Sequence, residues 1–343
     1  MNSIMLKVII FITLVCIPII ILVTFIMEKN NLVSSSFHQT KNERVFVPIW
    51  NVRSIDTVKY SRDIAREKLT DQAFEQVIDL QVKNIAQTGA THIAIGTPYD
   101  REFIPFLTKW VTAARKNRLH VWYRGNLSGW EGWFGYQKLD RIGHLKGIES
   151  FILENPNLFE DGDILTTCTE CENGGPGDPR MKGDVEGYRK FLIEEYQISQ
   201  KAFEKIGKKV ATNYFSMNGD VAKLVMDKET TKAIDGIVVI DHYVRTIERL
   251  NDDITSLAEK SGGKIVLGEW GAPIPDIHGK MTEAQQATWL SDAFELLEKN
   301  PHLVGINYWT NMGSSTELWN EDGSKRKAID VVTSYYTKKI EKN

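Results

Sequence analysis

The sequence predicts an α/β chain folded as a (β/α)₈ TIM barrel, preceded by an N-terminal transmembrane helix. Two patterns carry that expectation. From Val45 onward, eight short apolar runs alternate with longer amphipathic stretches, the order that a closed parallel barrel requires. Ahead of them, Val8–Met27 is an uncharged apolar run of about 20 residues, enough to cross about 30 Å of hydrocarbon as a helix. A doubly wound sheet is the structural competitor, but no GxGxxG follows the first apolar run.

The elements follow in chain order. Residues 1–28 read as a membrane anchor, because the apolar run exceeds the core of a cleavable signal peptide and lacks a clear small-residue cleavage site. Cleavage near Leu32–Ser36 is the competing outcome. Pro18 falls inside the run, where a kink is tolerated. With no second span to return the chain, a single-pass protein of the cell membrane is expected, its catalytic domain extracytoplasmic. Residues 29–44 form a polar tether, and residues 45–343 form the barrel domain.

The strand candidates start at Val45 (VFVPIW), Thr91 (THIAIG), Leu119 (LHVWYRG) and Asp163 (DILTTCTE). The remaining four start at Lys209 (KVATNYF), Gly236 (GIVVIDHY), Lys264 (KIVLGEWG) and Leu303 (LVGINYW). Each has the length and β-branched content of a buried parallel strand. Between the first two, Phe74, Val77, Ile78 and Val82 recur at helical spacing behind a Thr70–Asp71 cap signal. Before the last, Thr282 is placed to cap a helix whose Leu290, Ala293, Phe294 and Leu297 share one face.

Composition narrows the function. A formal net charge of −3 with nearly balanced signs leaves no basic stripe, so no nucleic-acid partner is expected. Nine tryptophans are more than packing alone usually takes, which directs attention to where they sit.

In a barrel the reactive groups collect at the C-terminal strand ends. The first predicted end carries Trp50 and Arg53, and the third carries Arg124, Asn126 and Trp130. The fourth holds Glu170, Glu172 and Asn173, and the fifth Asn213 and Tyr214. The sixth supplies His242 and Tyr243, the seventh Glu269 and Trp270, and the eighth Trp309. Any one aromatic at a strand end is more often packing. Acids and aromatics gathered at one rim describe a carbohydrate cleft. There, one carboxyl protonates the leaving oxygen while another attacks the anomeric carbon or activates water. Glu269 stands out, since a buried apolar strand ends abruptly in a charge that is costly without a function or a partner. An ion pair to Arg53 or Arg124 is the structural alternative.

The strand-seven GEWG, the strand-six DHY and the strand-eight NYW resemble the large clan of retaining glycoside hydrolases with (β/α)₈ barrels. The similarity covers about Val45 to Lys339 and assigns no particular family. It implies Glu269 as the nucleophile, a strand-four glutamate as the acid/base, His242 or Tyr243 as the group that orients Glu269 or binds substrate, and Trp309 as the floor of the sugar site. The implied substrate is an oligo- or polysaccharide, with no cofactor and no metal.

Strand four departs from that clan's pattern. Its acid/base glutamate usually follows an asparagine, whereas here Thr169 precedes Glu170, Cys171 precedes Glu172, and Asn173 comes after both. Strand alternation does not separate the two glutamates; Glu170 is nearer the strand end, and Glu172 is the alternative. Cys168, Cys171 and His242 could converge on a metal, but no further residue at ligand spacing supports such a site, so packing beneath the catalytic loop is expected of Cys168, with a disulfide as the minor alternative. A non-catalytic glycan-binding barrel and a transglycosylase using the same glutamates compete with the hydrolase reading.

Overall fold

The computed structural model describes residues 46–341. Val47–Ile340 form one compact unit; of the other, Met1–Phe46 with Glu341–Asn343, only Phe46 and Glu341 are described. The apolar run Val8–Met27 and the tether thus lie outside the described residues. Among the described residues no helix is long and apolar enough to cross a membrane.

Eight strands form one sheet: β1 (Val52–Asp56), β2 (His92–Ile95), β3 (His120–Tyr123), β4 (Ile164–Leu165), β5 (Ser216–Asn218), β6 (Ile237–Asp241), β7 (Lys264–Trp270) and β8 (Leu303–Tyr308). Their spatial order is β4-β3-β2-β1-β8-β7-β6-β5, and every neighbouring pair is parallel. The β4 edge also bonds to the segment ahead of β5, from Leu165 N to Ala211 O at 2.8 Å and from Ala211 N to Asp163 O at 2.9 Å. A helix follows each strand: α1 (Phe74–Gln87), α2 (Ile104–Lys116), α3 (Arg141–Glu154), α4 (Val185–Ile206), α5 (Gly219–Val225), α6 (Ile247–Ser261), α7 (Glu283–Leu297) and α8 (Ala328–Thr337). The architecture is TIM-like.

Local chemistry explains the helices. Helix α1 buries Phe74, Ile78, Val82 and Ile85 at helical spacing. At α7, Thr282 and Gln285 form a reciprocal capping box, which satisfies N–H groups that the first turn leaves free.

Two predicted strands change place. The Val45–Trp50 run is not the first strand of the barrel: Phe46–Pro48 pairs instead with Lys339–Glu341 in a separate two-stranded sheet. Pro48 has no N–H for a central ladder, whereas Val52, Ser54 and Asp56 alternate inward along β1. Likewise the fifth strand is Ser216–Asn218 rather than Lys209–Phe215, of which only Ala211 makes a bridge. The barrel interior begins with a layer of Val52, Ala94, Trp122, Ile164, Val239 and Val266. Polar groups take over above it.

Candidate active site

Arg124, one residue past β3, is the centre of the polar layer. It is 3% exposed, and its guanidinium lies over the Trp122 ring, 5.3 Å from the centroid. Its Nε reaches Asp56 Oδ2 at 3.2 Å, while Nη2 reaches Asp241 Oδ2 at 3.2 Å and Glu269 Oε1 at 2.9 Å. The ends of β1, β6 and β7 therefore converge on one cation. Burial works to lower the Arg124 pKa, but Asp241, Glu269 and Asp56 outweigh it and raise the pKa. Neighbouring neutral groups complete the set: Asn307 Nδ2 donates to Asp56 at 3.1 Å, and the Ser216 hydroxyl donates to Asp241.

Accessibility separates the three acids. The Asp56 and Asp241 side chains are each 2% exposed, whereas Glu269 is 17% exposed. Only Glu269 offers a carboxylate oxygen to a ligand, and that oxygen, Oε2, accepts from Tyr243 Oη at 3.2 Å. Burial first, and then crowding by Asp241, pushes the Glu269 pKa upward, against the pull of Arg124.

The backbone aims Glu269 by a bulge. Register with β8 shifts between Leu267 and Trp270, and register with β6 shifts beside Asp241. An extra residue in one strand turns a side chain that plain alternation would send outward. Gly268 makes room for it: a Cβ there would meet Asp241 Oδ1 at 2.4 Å and Arg124 Nη1 at 2.9 Å. Gly268→Ala is accordingly expected to lower unfolding free energy by roughly 1–3 kcal/mol through overpacking, measured by urea denaturation. A value within error of wild type would mean that the ion cluster yields freely.

On the other side of the rim, the two strand-four glutamates separate. The ladder of β4 ends at Leu165, so alternation does not govern either residue. Glu172 is 4% exposed and already engaged, accepting from Asn218 N at 2.6 Å and from Tyr188 Oη at 3.2 Å. Glu170 is half-buried and accepts from the exposed Asn173 Nδ2 at 3.0 Å. Burial, then repulsion from Asp241 and Glu172, lifts the Glu170 pKa to about 8. Burial lifts Glu172 to about 7. Glu170 and Glu269 each feel the same Asp241 and Arg124.

Several residues expected to bind substrate sit elsewhere. Trp50 and Arg53 lie at the opposite end of β1 from Asp56, where Arg53 donates to Trp50 O and Gly89 O; the misplaced first strand accounts for the error. Trp270 is fully buried, packed on Phe294 at 5.1 Å and Tyr308 at 5.9 Å, because the bulge that turns Glu269 inward turns Trp270 outward. Trp130 is 3% exposed and stacks on Phe191 at 5.1 Å. Gly174 and Gly175 cover it closely, since a Cβ on either would strike Trp130 within 2.6 Å; that contact explains the glycine-rich loop. Asn126 is buried between His144 and Glu131. Asn213 donates to Asp235 O at 3.3 Å, and Tyr214 meets Trp122 edge-on at 5.5 Å within the barrel. His242 pairs with Asp253 at 2.9 Å rather than with Glu269. Arg124 holds the site from beneath.

Tyr243, Trp309 and Asn173 do stand at the rim. Trp309 is half-buried and meets Tyr243 edge-on at 6.0 Å. Asp56, Ser216 and Asn307 are site residues that the sequence reading missed; the inward alternation Val52-Ser54-Asp56 was the available signal for the first. Cys168 and Cys171 form a disulfide, so neither offers a thiolate. Among the described residues no group of three or more His, Cys, Asp or Glu side chains is arranged to hold a metal ion. A cavity of about 740 Å³, lined by Tyr99, Ile104, Tyr136 and Phe151 among others, is not lined by Glu170 or Glu269.

No protein-family model matches this chain, and no curated protein does. Among solved structures it is similar to a beta-D-glucuronidase from Dictyoglomus thermophilum, at 15% identity and TM-score 0.57 over 87% of this chain and 51% of that one. A family 39 glycoside hydrolase from Bacteroides cellulosilyticus WH2 is similar at 12% identity and TM-score 0.56, over 84% of this chain and 64% of that one. A beta-galacturonidase from Eisenbergiella tayi is similar at 14% identity and TM-score 0.52, over 76% of this chain and 48% of that one. The chain spans about half the length of the first and third of these. Such likeness shows a shared fold, and these three neighbours are glycoside hydrolases.

Proposed function

We propose that this chain is a membrane-anchored glycoside hydrolase that cleaves an oligo- or polysaccharide with retention. The observation that carries the reading is the pair of solvent-reaching glutamates, Glu269 near the end of β7 and Glu170 in the loop after β4 of a TIM-like sheet. Both have raised pKa values, and it is their hydrogen-bond partners that suggest the two roles a two-carboxylate mechanism needs. Glu170, with its pKa lifted to about 8 by burial and neighbouring acids, keeps a proton at neutral pH and gives it to the leaving oxygen. Glu269, whose pKa burial and Asp241 also raise, takes hydrogen bonds from Arg124 and Tyr243, which oppose that rise and stabilise the anion that attacks the anomeric carbon. The proton on Glu170 also removes its repulsion of Glu269. Water then resolves the glycosyl-enzyme, with Glu170 as base. Trp309 offers its ring face to the sugar beside Tyr243.

Two features support an extracytoplasmic address. Val8–Met27 has the length of a membrane anchor, and the Cys168–Cys171 disulfide suits an oxidising compartment. Protease accessibility of the barrel in intact cells tests the placement; protection by the membrane would reverse it.

Turnover of a glycoside panel, including the glucuronides and galacturonides that neighbouring enzymes are named for, tests the activity. Retention is read from the anomer first formed, by proton NMR; the opposite anomer would mean inversion. As pH rises through about 8, kcat/KM is expected to fall as Glu170 loses its proton. Glu170→Gln is expected to lack that alkaline limb, and a limb that persists in the variant would move the acid role to another group. Binding of glycans without any turnover would favour the glycan-binding reading.

A further inference from the structure

We infer that the Cys168–Cys171 disulfide is a positioning device for the acid/base carboxyl, closing a four-residue ring that holds Glu170 at the mouth of the site. The inference rests on the proposed role of Glu170.

The geometry begins with the chain path. Left as an extended strand, the three steps from residue 168 to residue 171 would span about 10 Å; the disulfide holds the two Cα atoms 5.2 Å apart. The path must therefore turn, and the turn falls on Glu170, with φ 44° and ψ 55°. This is the left-handed region, which a residue other than glycine occupies only when its surroundings hold it there.

Those surroundings are the site itself. Thr169 Oγ1 donates to Arg124 O at 2.9 Å, and Glu170 N donates to Ser216 O at 2.8 Å. The side chains of the same Arg124 and Ser216 hold Asp241, and Arg124 holds Glu269 as well. Each sulfur end is fastened too: Trp130 Nε1 donates to Cys171 O at 3.0 Å, and Asn126 Nδ2 approaches Cys168 Sγ at 3.7 Å. Acid and nucleophile thus share one scaffold, and the disulfide fixes how the acid leaves it. Both cysteines are 1% exposed, so the bond is shielded within the protein.

The test compares the full-length chain with its Cys168→Ala/Cys171→Ala variant on two glycosides of a sugar that the wild type cleaves. One carries a dinitrophenyl leaving group, which departs without a proton; the other carries an alkyl leaving group, which needs one. The variant is expected to keep kcat/KM for the dinitrophenyl glycoside, which reports only the first step, within about threefold and to lose roughly 10- to 100-fold in kcat/KM on the alkyl glycoside, part of the 10²–10⁴ that general-acid catalysis supplies. Equal losses in kcat/KM on both substrates, or no loss on either, would overturn the inference. A readout independent of turnover is the titration of Glu170, followed by carbon-13 NMR with Glu170→Gln for assignment. Freed from the ring, the carboxyl is expected to return toward the ordinary carboxylate range, and an unmoved titration would also overturn the inference. If the double variant does not fold by circular dichroism, the same comparison is made on the single variants Cys168→Ser and Cys171→Ser, each of which opens the ring. Wild type that cleaves neither glycoside marks failure of the hydrolase reading instead, while the Glu170 titration still decides the positioning role.

Discussion

Glu269→Gln is expected to lower kcat by roughly 10⁴- to 10⁶-fold, the scale on which a member of a catalytic unit is lost, while leaving the fold intact. The amide keeps an acceptor for Arg124 and is close to the carboxylate in shape. It also removes one negative charge from a group in which Asp56, Asp241 and Glu269 share a single guanidinium. Thermal stability should therefore hold or rise, because repulsion by Asp241 is one of the forces acting on Glu269. Turnover and a melting curve on the same preparation check both halves. Turnover near wild type would remove Glu269 from the mechanism. Loss of activity together with a lowered melting temperature would mean that the carboxylate is structural.

Arg124→Met is expected to cost about 3–5 kcal/mol of stability, the usual effect of leaving buried charges without their partner. Asp56 and Asp241 sit at 2% exposure around the guanidinium, and water does not reach them to take its place. The direction with pH follows from the raised pKa of Asp56, Asp241 and Glu269, each lifted first by burial and opposed by Arg124. Without the cation these values rise further. A carboxyl whose folded pKa lies above its unfolded value contributes its stability at low pH and loses it as pH climbs through the folded value. The deficit of the variant should therefore be small near pH 4 and grow toward pH 8. Urea denaturation at both ends of that range measures it; a deficit independent of pH would mean that lost packing on Trp122, rather than lost charge, dominates.

Much of the fold was legible because apolar periodicity records burial directly. Runs such as VVID and IVLG are buried on both faces, as central parallel strands are, and the Thr282 cap announced α7 through its own hydrogen bonds. Glu269 was visible for the same reason, as a charge ending an apolar strand. The first strand was misread because VFVPIW is more apolar than VRSID, although Pro48 weakens the former as a ladder strand. That shift carried Trp50 and Arg53 to the wrong end and hid Asp56.

What the sequence by itself determined is the alternation of eight strands with their helices and the pair of glutamates near two strand ends. Both are local: residue type and spacing carry them. Only the tertiary structure decided the rest. A bulge beside Gly268 chose Glu269 over Trp270 as the inward side chain, and Tyr188 and the Asn218 N–H occupied Glu172, while Glu170 is met by the exposed Asn173. Arg124, a surface-type residue in isolation, became the buried partner of three acids, Asp56, Asp241 and Glu269, drawn from three other strands distant from it in the chain. The physical reason is one of range. Periodicity reports which neighbours along the chain share a face, whereas a charge deep inside is tolerated only when distant segments bring its counter-charge and hydrogen bonds to it.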